Sequence, residues 1–195
     1  MSNPSLSIVL PTYNERGNIK ILIQGIEKTF EHVNHEIIVV DDNSPDGTAK
    51  VAEELSKKFG NISVIVRKKK EGIGSAIREG YNSAKNSIIL SSDADLSFTL
   101  SDTYKLYKKM QEGYDLVWGS KYSKNSFYEP TTRQGKTKKW VSKNGNKIIR
   151  LATGIEASDF TANLRAIRRD AWKQIRTQEK TNTFLMEMIL KCKYG

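Results

Sequence analysis

The stretch Ile88-Ile89-Leu90-Ser91-Ser92-Asp93-Ala94-Asp95-Leu96 decides the fold class. An apolar run of strand character ends abruptly in two carboxylates spaced i, i+2. In an open α/β sheet, ligands bind beyond the carboxyl ends of the strands. Two carboxylates at such an end can present oxygen ligands to a divalent cation, which usually shares a substrate phosphate as well. The plainer alternative is a strand followed by an Asp-rich helix cap. The sequence on either side bears on the choice.

Upstream, apolar runs alternate with helical patterns. Leu6 to Leu10 reads as a strand stopped by Pro11, Glu36 to Val40 as a second, Ile62 to Val66 as a third and Ser87 to Ser91 as a fourth. Between the first two, Ile19, Leu22, Ile23, Ile26 and Phe30 fall at helical spacing. Turn formers from Asp41 to Thr48 open a helix through Ala49, Val51, Ala52 and Leu55. Gly72 to Ala76 opens another, over Ser75 to Ala84. Downstream, Ser101 to Gln111 predicts a helix and Asp115 to Trp118 a fifth strand. This alternation predicts an α/β fold: a nucleotide-binding, mostly parallel sheet flanked by helices, with right-handed crossovers.

After Trp118 the regularity breaks. Gly119 to Lys139 is polar and basic, a loop that runs into a helix from about Lys138 to Thr153. Asp159 to Ile167 reads as a further strand, a small antiparallel element in the second half. Arg169 to Ile175 and Phe184 to Cys192 are helical.

The chain has 195 residues, so one domain spanning 1–195 is the default. Its net charge of +10 favours anionic partners: phosphorylated substrates, acidic lipid surfaces or nucleic acid. The single Cys192 excludes an internal disulfide framework and a cysteine-based metal site, and it fits a reducing compartment. No basic leader with a long apolar core opens the chain, and no apolar run approaches the ~20 residues that span a bilayer. A soluble or peripheral protein is expected.

Polar clusters follow four strands: Pro11 to Glu15, Asp41-Asp42, Arg67 to Gly74 and Asp93 to Asp95. In a parallel sheet all four lie on one rim. Like charges gathered there repel unless a cation or ligand balances them.

These motifs, in order, resemble the markers of the inverting GT-A glycosyltransferases of family 2. They are Pro11-Thr12-Tyr13-Asn14-Glu15, Val39-Val40-Asp41-Asp42-Asn43-Ser44-Pro45-Asp46-Gly47-Thr48, Gly72-Ile73-Gly74-Ser75-Ala76-Ile77-Arg78-Glu79-Gly80 and Asp93-Ala94-Asp95-Leu96. The nearest subgroup is the dolichyl-phosphate mannosyltransferase, or polyprenyl-phosphate glycosyltransferase, type. Gly119-Ser120-Lys121-Tyr122 is similar to its Gly-Ser-Arg-Tyr, and Asp159 to Ala166 to its Asp-x-Thr-Ser-Gly-Phe-Arg-Ala.

The resemblance implies a single GT-A domain. Residues 1–118 form a nucleotide-sugar-binding half and 119–195 an acceptor-side half. It implies metal-dependent transfer of a sugar from a GDP- or UDP-sugar donor to a polyprenyl (dolichyl) phosphate. Asp42 then bonds the nucleobase, which a carboxylate acceptor suits. Pro11, Tyr13 and Glu15 line the base and ribose pocket. Asp93 and Asp95 hold the donor through its ribose and through Mg²⁺ or Mn²⁺ on the diphosphate. The acceptor phosphate is already ionised and needs cations rather than a strong base. Lys121, Arg133, Lys138 and Lys139 are the candidates to hold it. Asp95, Lys121 and Asp159 are the candidate catalytic residues, Asp159 contacting the donor sugar or orienting the acceptor loop. Asp46 is expected to order its turn, Gly72 and Gly74 either to admit a close backbone or to start a helix, and Arg67 and Lys70 to be solvated.

The implied site of action is the cytoplasmic face of a membrane, with the chain peripheral to it. The segment around Trp140, with Lys143, Lys147 and Arg150, either lies on lipid or covers the sheet as an ordinary amphipathic helix. The sequence departs from the family in Ser97-Phe98-Thr99, in Lys121 for Arg, and in Ala162-Asn163 for Ser-Gly. The family continues past residue 195 with another strand and a basic loop, so a C-terminal truncation of a membrane-anchored enzyme is expected.

Three other readings remain. A glycosyltransferase acting on a hydroxyl acceptor would need a base, with Asp159 the main choice. A homologue of weak activity would only bind nucleotide sugar. A nucleotidyltransferase would want a Gly-rich basic loop near the N-terminus, which Pro11 to Gly17 does not offer. Nucleic acid is not an expected partner, because no zinc spacing, helix-turn-helix signal or aromatic RNA-binding pattern accompanies the charge.

Overall fold

The computed structural model describes residues 4–120, 144, 146–147, 149–151, 153–155, 159–160, 162–181 and 183–194. Strand β1 (Leu6–Thr12) is buried along its whole length, as a continuous apolar run requires when both faces are covered. Beside it lie β2 (His35–Asp41), β3 (Ile62–Val66), β4 (Ile88–Ser91), β5 (Leu116–Trp118) and β6 (Arg165–Arg168). They form one sheet of order β3-β2-β1-β4-β6-β5. The first four strands are mutually parallel, and β6 inserts antiparallel between β4 and β5.

Side chains alternate across the sheet, and two helical layers take the two sets. On one face Ile8, Leu10, Ile37, Val39 and Leu90 pack with α1 (Arg16–Thr29), α2 (Thr48–Phe59) and α4 (Leu100–Met110). On the other, Val9, Ile38, Val40, Ile89 and Ile167 meet α3 (Ile73–Ser83), α5 (Arg169–Gln174) and α6 (Thr183–Tyr194). The Trp172 ring stands edge-on to Tyr81 at 5.1 Å and to Phe184 at 6.1 Å, joining these three helices.

The expected elements are present with small shifts of boundary. Pro11 does not stop the first strand: β1 runs through it to Thr12, with Pro11 opposite Val40. The Val9 carbonyl accepts from Ser92 N–H on the β4 side, and alternate residues of a strand share a side. The N–H that Pro11 lacks therefore falls just past the end of β4, where no ladder bond is lost. The strand expected from Asp159 begins only at Arg165. Before it the chain turns, with Asp159 Oδ1 accepting from Ala162 N–H at 3.2 Å. The residues described between 144 and 153 are all helical, as expected there.

Chain order sets the switch point. From β1 the chain winds outward through β2 and β3, then α3 carries it back across to β4 on the other side of β1. The carboxyl ends of β1 and β4 diverge there, which is where an open α/β sheet binds its ligand.

Candidate active site

A cleft of about 210 Å³ opens at that switch point. It is lined by Pro11, Thr12, Tyr13 and Glu15 after β1, Asp42 after β2, Lys70, Gly72, Ile73 and Ala76 at the β3–α3 turn, and Asp93, Ala94 and Asp95 after β4. Six residues singled out from the sequence, Pro11, Tyr13, Glu15, Asp42, Asp93 and Asp95, are thus brought together. Asp159 is not among the lining residues. It is buried in the turn before β6. Lys121, Arg133, Lys138 and Lys139 lie outside the described residues.

The β1 loop is held by its neighbour. Asp46 accepts from Thr48 N–H and Oγ1 at 2.9 and 2.6 Å and from Arg16 N–H at 3.1 Å. Burial pushes its carboxyl up, but these bonds outweigh it and hold the group below its usual range. Asp46 orders the turn, as expected. Glu15 caps the approach to α1, its Oε2 accepting from Asn18 at 2.9 Å. The half-exposed Tyr13 ring carries the Lys70 ammonium 3.5 Å from its centroid, a cation–π contact inside the cleft.

Asp42 faces the cleft with its carboxylate already engaged. Oδ1 accepts from Arg67 Nη1 at 2.6 Å, and Oδ2 from the backbone N–H of Glu71 and Gly72 at 3.1 and 3.0 Å. Each oxygen can accept twice, so Oδ1 retains one acceptor position. Arg67 is not the solvated charge the sequence suggested. Its side chain is only 7% exposed and also binds Glu71 at 2.8 Å and Glu79 at 3.0 Å. It neutralises carboxylates that would otherwise repel one another on the rim. The Glu71 spacing, four residues on, was the available signal.

The β4 end is different. Asp95 is exposed, and its Oδ1 accepts from Ser97 N–H at 2.9 Å. Between them Leu96 has φ 60°, a left-handed conformation rare for a branched side chain and frequent at functional sites. Among the described residues Asp95 makes no ion pair. Asp93 is half-buried, and its Oδ1 accepts from Asn163 Nδ2 at 3.0 Å. No group of three or more His, Cys, Asp or Glu that could hold a metal occurs among the described residues. The described residues of this edge offer two carboxylates, Asp93 and Asp95. They fit a hard divalent cation that takes its remaining ligands from a phosphate and water, rather than a closed protein cage.

Two buried groups behind this edge escaped the sequence reading. Asn163 was visible only as a departure from a pattern. Arg165 has no exposed surface and donates to the carbonyls of Ala162 at 2.8 Å, Phe160 at 2.6 Å and Leu185. Burial pulls its guanidinium down to about 10, with the Asp159 charge acting in the other direction. Arg165 thereby fixes the turn that presents Asn163.

With this geometry in hand, comparison with known proteins gives a consistent result. The family described as Glycosyl transferase family 2 matches residues 7–176. A dolichol-phosphate mannosyltransferase of Pyrococcus furiosus is 32% identical over 198 residues, covering 97% of this chain and 53% of the relative. An undecaprenyl-phosphate 4-deoxy-4-formamido-L-arabinose transferase of Pseudomonas savastanoi is 28% identical, covering 92% and 52%. The chain thus spans about half the length of these curated relatives. Among solved structures, glucosyl-3-phosphoglycerate synthase of Mycobacterium tuberculosis, in complex with Mn²⁺, UDP-glucose and phosphoglyceric acid, superposes with a TM-score of 0.72 at 20% identity. That match covers 95% of this chain and 64% of the other. A mannosyltransferase of Pyrobaculum calidifontis, in complex with GDP-Man and Mn²⁺, gives 0.59 at 19% identity, covering 88% and 46%.

Proposed function

The chain belongs to glycosyl transferase family 2 and carries the GT-A fold, and from that membership we propose that it transfers a sugar, with inversion, from a nucleotide-sugar donor to a polyprenyl phosphate. The names of the two curated relatives, which specify dolichol phosphate and undecaprenyl phosphate, support this acceptor class. The observation that carries the donor reading is the meeting of Tyr13, Asp42, Asp93 and Asp95 in one cleft at the switch point.

In this reading Pro11, Tyr13 and Glu15 line the base and ribose pocket, and Asp42 accepts from the base with the capacity Arg67 leaves it. Lys70 turns aside from the Tyr13 ring as the base arrives. Asp93 and Asp95 hold the ribose and the cation. Mg²⁺ or Mn²⁺ bound there supplies charge neutralisation for the departing nucleoside diphosphate. An ionised acceptor oxygen attacks the anomeric carbon from the face opposite the diphosphate. The new C–O bond forms as the old one breaks, and no proton has to be removed. Lys121, Arg133, Lys138 and Lys139 hold the acceptor phosphate. Residues 1–118 thus serve the donor and 119–195 the acceptor within one catalytic domain.

A hydroxyl acceptor would need a carboxylate base facing the cleft. Asp159, the main candidate, is buried, accepts from Ala162 N–H and does not line the cleft. Among the described residues no helix is long and apolar enough to cross a membrane. We place the described chain at the surface of a membrane, on its cytoplasmic face.

Calorimetric titration with GDP and UDP, each with and without Mn²⁺, tests the reading. One nucleotide is expected to bind in a metal-dependent manner. Asp95→Asn is expected to remove the metal-dependent part and to lower donor turnover by roughly a hundredfold or more, the scale of losing a key electrostatic group. Absence of metal-dependent binding for both nucleotides, or an Asp95→Asn protein of unchanged activity, refutes it.

A further inference from the structure

Asn163 is 2% exposed and lies against Asp93 with its amide fully oriented. Nδ2 donates to Asp93 Oδ1 at 3.0 Å, and Oδ1 accepts from Ser91 Oγ at 3.0 Å. Ser91 Oγ lies 2.9 Å from the Tyr81 hydroxyl. Proton supply gives the chain a direction. A carboxylate only accepts, so the Asn163 NH₂ must face Asp93. Asn163 Oδ1 at 3.0 Å, nearer than the Asn163 backbone carbonyl at 3.4 Å, then takes the single Ser91 proton, and Tyr81 donates to Ser91. Burial pushes the Tyr81 phenol up to about 12, so it keeps the proton it donates. All three donors are buried, where an amide or hydroxyl costs free energy unless bonded in this way.

We propose that Asn163 is a positioning residue for Asp93, the last member of a buried donor chain Tyr81→Ser91→Asn163→Asp93 that sets the rim carboxylate for the cation-bound donor. The proposal rests on the donor-site reading of the cleft. A neutral amide suits the task. It restrains the Asp93 carboxylate without cancelling the charge that a cation needs, as a lysine or arginine there would. Partners of this kind orient metal ligands, and losing one typically costs 10–100-fold in metal affinity. The geometry follows from the sheet. The antiparallel register that pairs Ser91 with Arg165, continued two residues past the strand ends, sets Asp93 opposite Asn163. In the family pattern that the sequence resembles, a glycine stands at this place.

The test compares the wild type with Asn163→Gly, Ser91→Ala and the double variant. Affinity for GDP and UDP is titrated with and without Mn²⁺, and the ligand-free proteins are crystallised. Asn163→Gly is expected to weaken Mn²⁺-dependent nucleotide affinity about tenfold or more, and metal-free nucleotide affinity by less, since only the ribose contact of Asp93 is then affected. Ser91→Ala is expected to weaken it less. The double variant should be no weaker than Asn163→Gly, because Ser91 acts through Asn163. In ligand-free crystals Asp93 is expected to leave its wild-type rotamer in both single variants. Should Asn163→Gly fail to fold, Tyr81→Phe removes only the hydroxyl that starts the chain and is read in the same two ways. An unchanged Asp93 rotamer, or losses that simply add, overturns the proposal. If the wild type binds neither nucleotide with Mn²⁺, the donor-site reading fails, and the Asp93 rotamer still decides the positioning role.

Discussion

Arg67 holds Asp42, Glu71 and Glu79 within 3.0 Å of its guanidinium. Removing one partner of a buried ion pair leaves an uncompensated charge, and this typically costs about 3–5 kcal/mol. Glu71 and Glu79 are partly exposed and can recover water, so the loss centres on Asp42. Arg67→Ala is therefore expected to lower the unfolding free energy by about 3 kcal/mol, read as a lower urea midpoint at unchanged slope. A loss below about 0.5 kcal/mol would return Arg67 to the solvated surface. Residues differ in how far the sequence exposed them, and the reason is distance along the chain. Asp93 and Asp95 are two apart and follow a strand, so their pairing is local. Asp46 and Thr48 are equally close. Arg67 meets Asp42 across 25 residues and Asn163 meets Asp93 across 70. Neither contact has a local pattern, and both depend on which strands become neighbours.

The start of α3 shows the same dependence one level up. Gly72 has φ +98°, and a Cβ on it would stand 2.8 Å from the Lys180 carbonyl oxygen. On Gly74 it would meet the Thr181 carbonyl oxygen at 2.4 Å and Phe184 Cβ at 2.6 Å. The two glycines thus both start a helix and admit a close backbone, but the backbone is the chain's own 180–181 segment. Neither obstacle is the flexible end of a side chain, so Gly74→Ala forces α3 and α6 apart. Overpacking of this kind costs about 1–3 kcal/mol, and a melting temperature lower by several degrees is expected. A melting temperature equal to the wild type's would show that the 180–181 segment yields freely. Strands β1, β2 and β4 were legible because their burial on both faces leaves largely apolar runs in the sequence. Strand β6 was legible as a strand but not in its place. Its insertion between β4 and β5 is a property of the sheet, not of residues 165–168. Pro11 misled for a related reason: its cost depends on whether a neighbour strand extends that far.

Charge is organised on the scale of the whole molecule. The chain carries +10 overall, yet among the described residues the cleft is lined by Glu15, Asp42, Asp93 and Asp95 against Lys70. One concentration of positive charge among the described residues is a second depression lined by Arg78, Arg169, Lys173 and Arg176, which shares no residue with the cleft. A basic residue near an anionic lipid surface contributes about 1 kcal/mol, and screening removes the attraction within a Debye length. Binding of nucleotide through a shared cation involves short contacts inside the cleft and is screened much less. The two activities should then separate with salt. Raising NaCl from about 50 mM to about 500 mM is expected to release the protein from phosphatidylserine-containing vesicles by more than tenfold. Mn²⁺-dependent nucleotide affinity should change only a few-fold over the same range. Co-sedimentation and calorimetry measure the two. Equal binding to purely zwitterionic vesicles, indifferent to salt, would remove electrostatics as the membrane contact. A parallel collapse of both affinities would mean that the basic surface and the acidic cleft form one site. The separation matters for the proposed reaction, because an acceptor that arrives from a bilayer reaches the donor only if the surface that finds the membrane leaves the cleft open.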